Sequence, residues 1–183
     1  MTNRIEAMCG EAIRIANDNK YGYDQLHRDG DNNSFDCSGL TYHCAKFAGY
    51  NVPTTGTHYT GTIRQHFAAI SWRVDAFDGN VGDLEAGDLL LRDTHPDGHV
   101  AIYVGNGQMV EASCNELGTV TGGKQGDQTG REIWVCPVRA YASAGRPWTH
   151  VLTPPKDNAP APAPTNKNDE IIKLAKRIIE LVS

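Results

Sequence analysis

A chain of 183 residues with 17 basic and 22 acidic side chains has a net charge of −5 and no basic block, which argues against a nucleic-acid partner. No stretch approaches the ~20 apolar residues of a membrane span, and the first twenty residues, MTNRIEAMCGEAIRIANDNK, lack the continuous apolar region of a secretory leader. Synthesis in the cytoplasm is therefore expected. The five cysteines (Cys9, Cys37, Cys44, Cys114 and Cys136) are odd in number and hold no CxxC pair, which argues against a disulfide framework and a structural zinc site.

Ile5, Met8, Cys9, Ala12, Ile13 and Ala16 recur at helical spacing and predict a helix over 4–16. Residues 17–34, NDNKYGYDQLHRDGDNNS, give turn after turn with little periodicity. From Cys37, CSGLTYHCAKFAGY sets Leu40, Cys44 and Phe47 on one helical face, with Gly49 as its stop. TGTIRQHFAAI (60–70) predicts a second short helix. Strands are expected at 87–93, 99–105, 107–113 and 132–138, each rich in β-branched and apolar residues. The Asn-Gly pair at 106–107 supplies a hairpin turn between the second and third of them. Helices followed by a run of antiparallel strands make the class α+β.

After Leu152 the composition shifts, so 1–152 is expected to be the folded domain. Residues 153–168, TPPKDNAPAPAPTNKN, read as an extended proline-alanine linker. In 169–183, DEIIKLAKRIIELVS, Ile171, Leu174, Ile178 and Leu181 follow an a/d pattern. A lone helix this short is marginal in water. It is expected to pack on its own domain, to self-associate, or to open a further module.

The chemistry starts at FDCSGL (35–40), where Cys37 stands at the head of the second predicted helix. Free N–H groups and the positive end of the helix dipole favour an anion there. The thiolate is the reactive form of cysteine, and the same N–H groups can steady an oxyanion. Cys44, two turns on within the apolar face, reads as core. A cysteine nucleophile needs a base, and the base needs an orienter. Of seven histidines, His99 stands out because it opens the apolar strand HVAIYVG at the rim of a loop. His27, His43, His58, His66, His95 and His150 read by default as surface residues. If the hairpin turns at 105–107, Glu111 faces His99 across the two strands. A carboxylate there would fix the imidazole tautomer and support its positive charge. His95 and His99 have a ligand-like spacing, but Pro96 and Gly98 intervene and no motif completes a site. No metal or other cofactor is expected.

FDCSGL followed by GHVAIYVGNGQMVEAS, in that order and behind helices, resembles the NlpC-type cysteine peptidases over roughly residues 4–150. These are papain-like enzymes that cut bacterial peptidoglycan. Their third site residue is often histidine, and Glu111 is a departure. GYDQ (22–25) and GGKQGDQTGREI (122–133) are similar to stretches in phage and prophage wall lysins. The resemblance implies a papain-like fold with N-terminal helices packed on a central antiparallel sheet, and it makes the further module opened by 169–183 a cell-wall-binding or oligomerising one. It implies Cys37 as nucleophile, His99 as base, Glu111 as orienter and Tyr23, with Tyr21 in reserve, shaping the oxyanion site. Asp36 and Ser38 become expected substrate contacts. It further implies that the protein, made in a bacterial host if phage-encoded, acts on the cell wall after release, with peptidoglycan as partner. The expected bond is the N-acetylmuramoyl-L-alanine amide, or else a bond within the stem peptide such as a γ-D-glutamyl bond. A non-catalytic wall-binding protein and a transferase on the same scaffold stay open. GDQTG (126–130) has no assigned mechanism and reads as a polar loop shaping one wall.

Overall fold

The computed structural model describes residues 3–53, 58–94, 96–138 and 145–156. His95, the linker from residue 157 and the predicted helix 169–183 lie outside the described residues.

Helix α1 (Arg4–Ala16) is capped by Asn3, whose side chain accepts the Glu6 N–H, and it buries Met8, Cys9, Ala12 and Ile13. Glu11 is buried on the same helix. Its carboxylate takes two bonds from the Arg14 guanidinium, both 2.7 Å, and lies 2.9 Å from His43 Nε2. Because His43 belongs to α2 (Cys37–Phe47), this cluster ties the two helices together. Helix α2 ends as its sequence indicates: Gly49, at φ 85°, donates its N–H to the Lys46 carbonyl. Helix α3 spans Thr60–Ala69.

The turn-rich stretch before α2 holds a pair not anticipated from sequence. β1 (Gly22–Tyr23) and β2 (Ser34–Phe35) run parallel, with Tyr23 opposite Phe35. Two residues per strand cannot display a period-two pattern. The main sheet comprises β3 (Arg73–Ala76), β4 (Leu89–Arg92), β5 (His99–Gly105), β6 (Gln108–Ala112), β7 (Ile133–Pro137) and β8 (His150–Thr153). Its order is β3-β8-β4-β5-β6-β7, antiparallel throughout. β4 to β7 fall within the four predicted strands. β3 and β8 were not anticipated. β3 is a largely exposed edge strand, and β8 starts just ahead of the composition shift.

Both faces of the sheet are covered. Leu89, Leu91, Val100, Ile102, Val110 and Ala112 join the core formed with the helices. On the other face, Leu90, Ala101, Met109 and Cys136 pack with Trp148. This is the expected α+β arrangement of N-terminal helices on a central antiparallel sheet.

Candidate active site

Cys37 is the first residue of α2, and the residue is 8% exposed. A residue at that position has an N–H with no partner within the helix. The helix head is held by Asp36, whose Oδ1 accepts the Gly39 N–H at 2.7 Å. The Ser38 hydroxyl lies 2.8 Å from the same oxygen and 2.9 Å from the His58 carbonyl oxygen, with Arg28 pairing to Asp36 Oδ2 at 3.4 Å. Burial pushes the Asp36 carboxyl up, against the bonds from Gly39 and Ser38 that pull it down. Gly39 is required sterically, because a Cβ there would lie 1.6 Å from the Arg28 carbonyl oxygen. Asp36 and Ser38 thus flank the thiol as expected, but they are 3% and 1% exposed and these bonds run inward. In this arrangement their side chains steady the head of the helix that carries Cys37, and they are not presented outward as the expected substrate contacts.

His99 is the first residue of β5, and its Nε2 lies 3.0 Å from Glu111 Oε2. Glu111 is 0% exposed, and its Oε1 accepts from the Trp134 indole N–H at 3.2 Å and from the Cys136 thiol at 3.7 Å. An ionised carboxylate is acceptor-only, so this bond puts a ring proton on Nε2. Nδ1 then has the lone pair for proton exchange. The two residues are not directly opposite. The pairing Ile102–Val110, with a register shift between Tyr103 and Gly105, makes Glu111 a diagonal neighbour of His99 on one sheet face. Trp148 stacks on the imidazole, with ring centroids 5.7 Å apart and planes 20° apart.

The segment 58–60 links the head of α2 to the start of β5. Ser38 reaches the His58 carbonyl, and Thr60, two residues on, packs so closely on Gly98 that a Cβ there would meet its Oγ1 at 2.1 Å. Tyr23 enters through the β1–β2 pair, which sets it beside Phe35, two residues before Cys37. Its hydroxyl lies 3.4 Å from Gln25 Nε2. Burial first, then the nearby charged forms of Cys37 and Asp36, raise the phenol well above its ordinary value, so it stays a proton donor. Tyr21, the reserve candidate, instead has its hydroxyl on the Arg14 guanidinium at 3.2–3.3 Å.

The remaining thiols and imidazoles have other duties. None of the five cysteines is in a disulfide. Burial pushes Cys9 up to about 12 and Cys136 up to about 11, and raises Cys44 well above its ordinary value. Those three are core thiols. His58, expected on the surface, is buried: it stacks on Tyr42 at 4.2 Å, with Nδ1 2.7 Å from Asp29 and Nε2 3.0 Å from the Pro53 carbonyl.

Sequence reasoning missed Trp134 and Trp148. Trp134 is the cross-strand partner of Glu111, but that pairing joins strands separated by a loop of some twenty residues. Trp148 lies in a stretch with no period to flag it.

A family model described as NlpC/P60 family matches residues 19–129, and one described as endolysin-like domain matches residues 109–163. The probable endopeptidase p60 of Listeria monocytogenes is 36% identical over 84 residues, which are 45% of this chain and 14% of that protein. The chain therefore spans a small part of the length of that relative. Among solved structures, the P60 domain of an antigen from M. avium subspecies paratuberculosis aligns at 25% identity and a TM-score of 0.47, over 82% of this chain and 93% of that one. The peptidoglycan hydrolase RipB of Mycobacterium tuberculosis aligns at 23% identity and a TM-score of 0.43, over 82% of this chain and 65% of that one.

Proposed function

The chain belongs to the NlpC/P60 family, and we propose that it is a cysteine-dependent peptidoglycan hydrolase cutting the amide between N-acetylmuramic acid and L-alanine. The observation that carries the reading is the His99–Glu111 pair, an imidazole locked at Nε2 by a fully buried carboxylate. Such a group suits proton transfer and has no comparable use on a wall-binding surface.

In the proposed cycle, His99 Nδ1 takes the Cys37 thiol proton as sulfur attacks the amide carbonyl. The Cys37 backbone N–H and the Tyr23 hydroxyl hold the resulting oxyanion. His99 then gives its proton to the leaving amine as the C–N bond breaks, and a thioester remains on Cys37. Water, deprotonated by His99, attacks that thioester and releases the carboxylate product. Glu111 holds the imidazole and supports its positive charge in both halves. The match to an endolysin-like domain, which overlaps Glu111 and GDQTG, supports a phage-type lysin made in the cytoplasm of a bacterial host and acting on the wall after release.

Cys37→Ala should abolish turbidity loss on purified cell walls while leaving the fold intact, and full lysis by that variant would refute the reading. Mass spectrometry of the digest identifies the bond: an amidase frees intact stem peptides from glycan. A second reading, an endopeptidase cutting within the stem peptide, is supported by the Listeria relative named as an endopeptidase. It would leave shortened peptides attached to muramic acid.

A further inference from the structure

GDQTG folds around one side chain. Asp127 Oδ1 accepts the N–H groups of Thr129 (2.8 Å), Gly130 (2.6 Å) and Arg131 (3.3 Å), and the Thr129 hydroxyl at 3.1 Å. Its Oδ2 accepts the N–H groups of Glu132 (2.9 Å) and Ile133 (3.3 Å), and its own N–H donates to the Asn19 carbonyl at 2.8 Å. The product of this loop is the placement of Glu132, which is 0% exposed. Glu132 Oε2 accepts the backbone N–H of Tyr23 at 2.9 Å, and Oε1 accepts that of Gln128 at 3.0 Å.

The contact is close on both sides. A Cβ on Gly22 would lie 2.4 Å from the Gly126 carbonyl oxygen, so GYDQ and GDQTG meet backbone to backbone. Beyond Tyr23, the Asp24 N–H donates to the Phe35 carbonyl at 3.3 Å and the Gln25 N–H to the Val120 carbonyl at 2.9 Å. Tyr23 is thus held through three successive backbone N–H groups, two on neutral carbonyls and its own on a carboxylate. A buried carboxylate is a costly acceptor. Burial raises the Glu132 carboxyl, the bonds from Tyr23 and Gln128 lower it, and the Asp127 charge raises it again. At the same 2.9 Å as the Gln25 bond, what the carboxylate adds over a carbonyl is charge assistance, and so a stronger bond.

We infer that Glu132, set in place by the Asp127 loop, is a positioning residue for oxyanion stabilisation: it fixes the backbone of Tyr23 so that the phenol hydroxyl meets the tetrahedral intermediate at Cys37. The inference rests on the reading of Tyr23 as an oxyanion donor. An oxyanion donor works only within about 2.7–3.1 Å of the developing charge, and a misplacement of about 1 Å costs on the order of 10²-fold in rate. A tyrosine on a two-residue strand needs such an anchor.

The test is a double-mutant cycle in the full chain, with wall hydrolysis by the unmodified protein read first; its absence overturns the hydrolase reading and this inference with it. Tyr23→Phe should lower kcat by about 10²-fold. Glu132→Gln retains one acceptor oxygen for two N–H groups, and should lower kcat by about 10- to 10²-fold with KM within about twofold. Combined, the two should be no slower than Tyr23→Phe by more than about twofold, because Glu132 acts through the hydroxyl already removed. Alkylation of Cys37, mapped by peptide mass, should keep its rate in all three. Additive losses in kcat overturn the inference and leave Tyr23 in place. A silent Tyr23→Phe overturns the reading of Tyr23 and the inference together. If Glu132→Gln does not fold, Gly22→Ala displaces the same segment from Gly126 and should show the same non-additivity with Tyr23→Phe; additivity there overturns the inference equally.

Discussion

Replacing Glu111 by glutamine changes few atoms and tests what the carboxylate does. In the native protein both oxygens accept hydrogen bonds, Oε2 from His99 Nε2 at 3.0 Å and Oε1 from the Trp134 indole at 3.2 Å. Glutamine has one acceptor oxygen and one amide nitrogen that only donates. If its oxygen stays on the indole, its NH₂ faces His99 and favours the tautomer whose proton is on Nδ1, the atom that must accept from Cys37. If the amide turns over, its NH₂ meets the indole N–H, and a buried donor loses its partner at a cost of about 1–3 kcal/mol. In either pose the negative charge beside the imidazolium is gone. At 3.0 Å and an effective dielectric of about 20, that charge is worth about 5 kcal/mol. A loss of about 4 kcal/mol in the transition state corresponds to ~10³-fold in kcat. Glu111→Gln is therefore expected to turn over purified walls ~10³-fold more slowly, with KM little changed and a melting temperature lowered by a few degrees. Nitrogen-15 NMR of the imidazole separates the two poses, since only the first shifts the ring towards the Nδ1–H tautomer. A variant that keeps more than about a tenth of the native kcat would refute the assignment of Glu111 as orienter.

Gly39→Ala places a methyl 1.6 Å from the Arg28 carbonyl oxygen, and backbone cannot yield as a flexible side chain would. It should cost more than about 3 kcal/mol or prevent folding, and a native thermal melt would show that the close approach does not hold the helix head. Glu11→Gln probes the pin between α1 and α2. Burial pushes the Glu11 carboxyl up, but the bonds and charges of Arg14 and His43 outweigh it and hold the carboxyl below its ordinary value of 4.5. A depressed folded-state value means that the stabilisation is present above the unfolded value and is lost as pH falls through the folded one. The variant should thus be about 3 kcal/mol less stable than the native protein at pH 7, with the gap narrowing below pH 4.5. Urea unfolding at neutral and acid pH measures it, and a gap independent of pH would show that the charge is not the source.

The parts of the site legible in the sequence are those whose determinants lie close together along the chain. Cys37 is marked by its own cap at Asp36 and by the glycine that follows, all within four residues. His99 and Glu111 are joined by a hairpin whose turn carries its own Asn-Gly signature. Even there the pair is diagonal and not face to face: the turn sets Gly105 opposite Gln108, and the one-residue shift between Tyr103 and Gly105 sets Ile102 opposite Val110, which brings Glu111 onto the sheet face of His99 but one pair short of it. The supports were not legible. Trp148 reaches His99 from outside any regular element, and Glu132 meets Tyr23 across 109 positions of chain.

Distance along the chain is only half of the reason. The groups that Asp127 and Glu132 bind are backbone N–H groups, which every residue but proline presents, so no residue type at position 23, 128 or 130 announces the contact. What the sequence can carry is the acceptor, a carboxylate that reads as a solvated loop residue, and the missing Cβ at Gly22 that makes room for the Gly126 carbonyl. Each stretch alone therefore reads as a polar turn. Together they interlock, since the loop around Asp127 supplies the acceptor for Tyr23 and the glycine of GYDQ supplies the space the loop occupies. GYDQ and GDQTG are best treated as one structural unit. A substitution in either should then move the backbone of Tyr23, while the pair formed by His99 and Glu111 is left as it was.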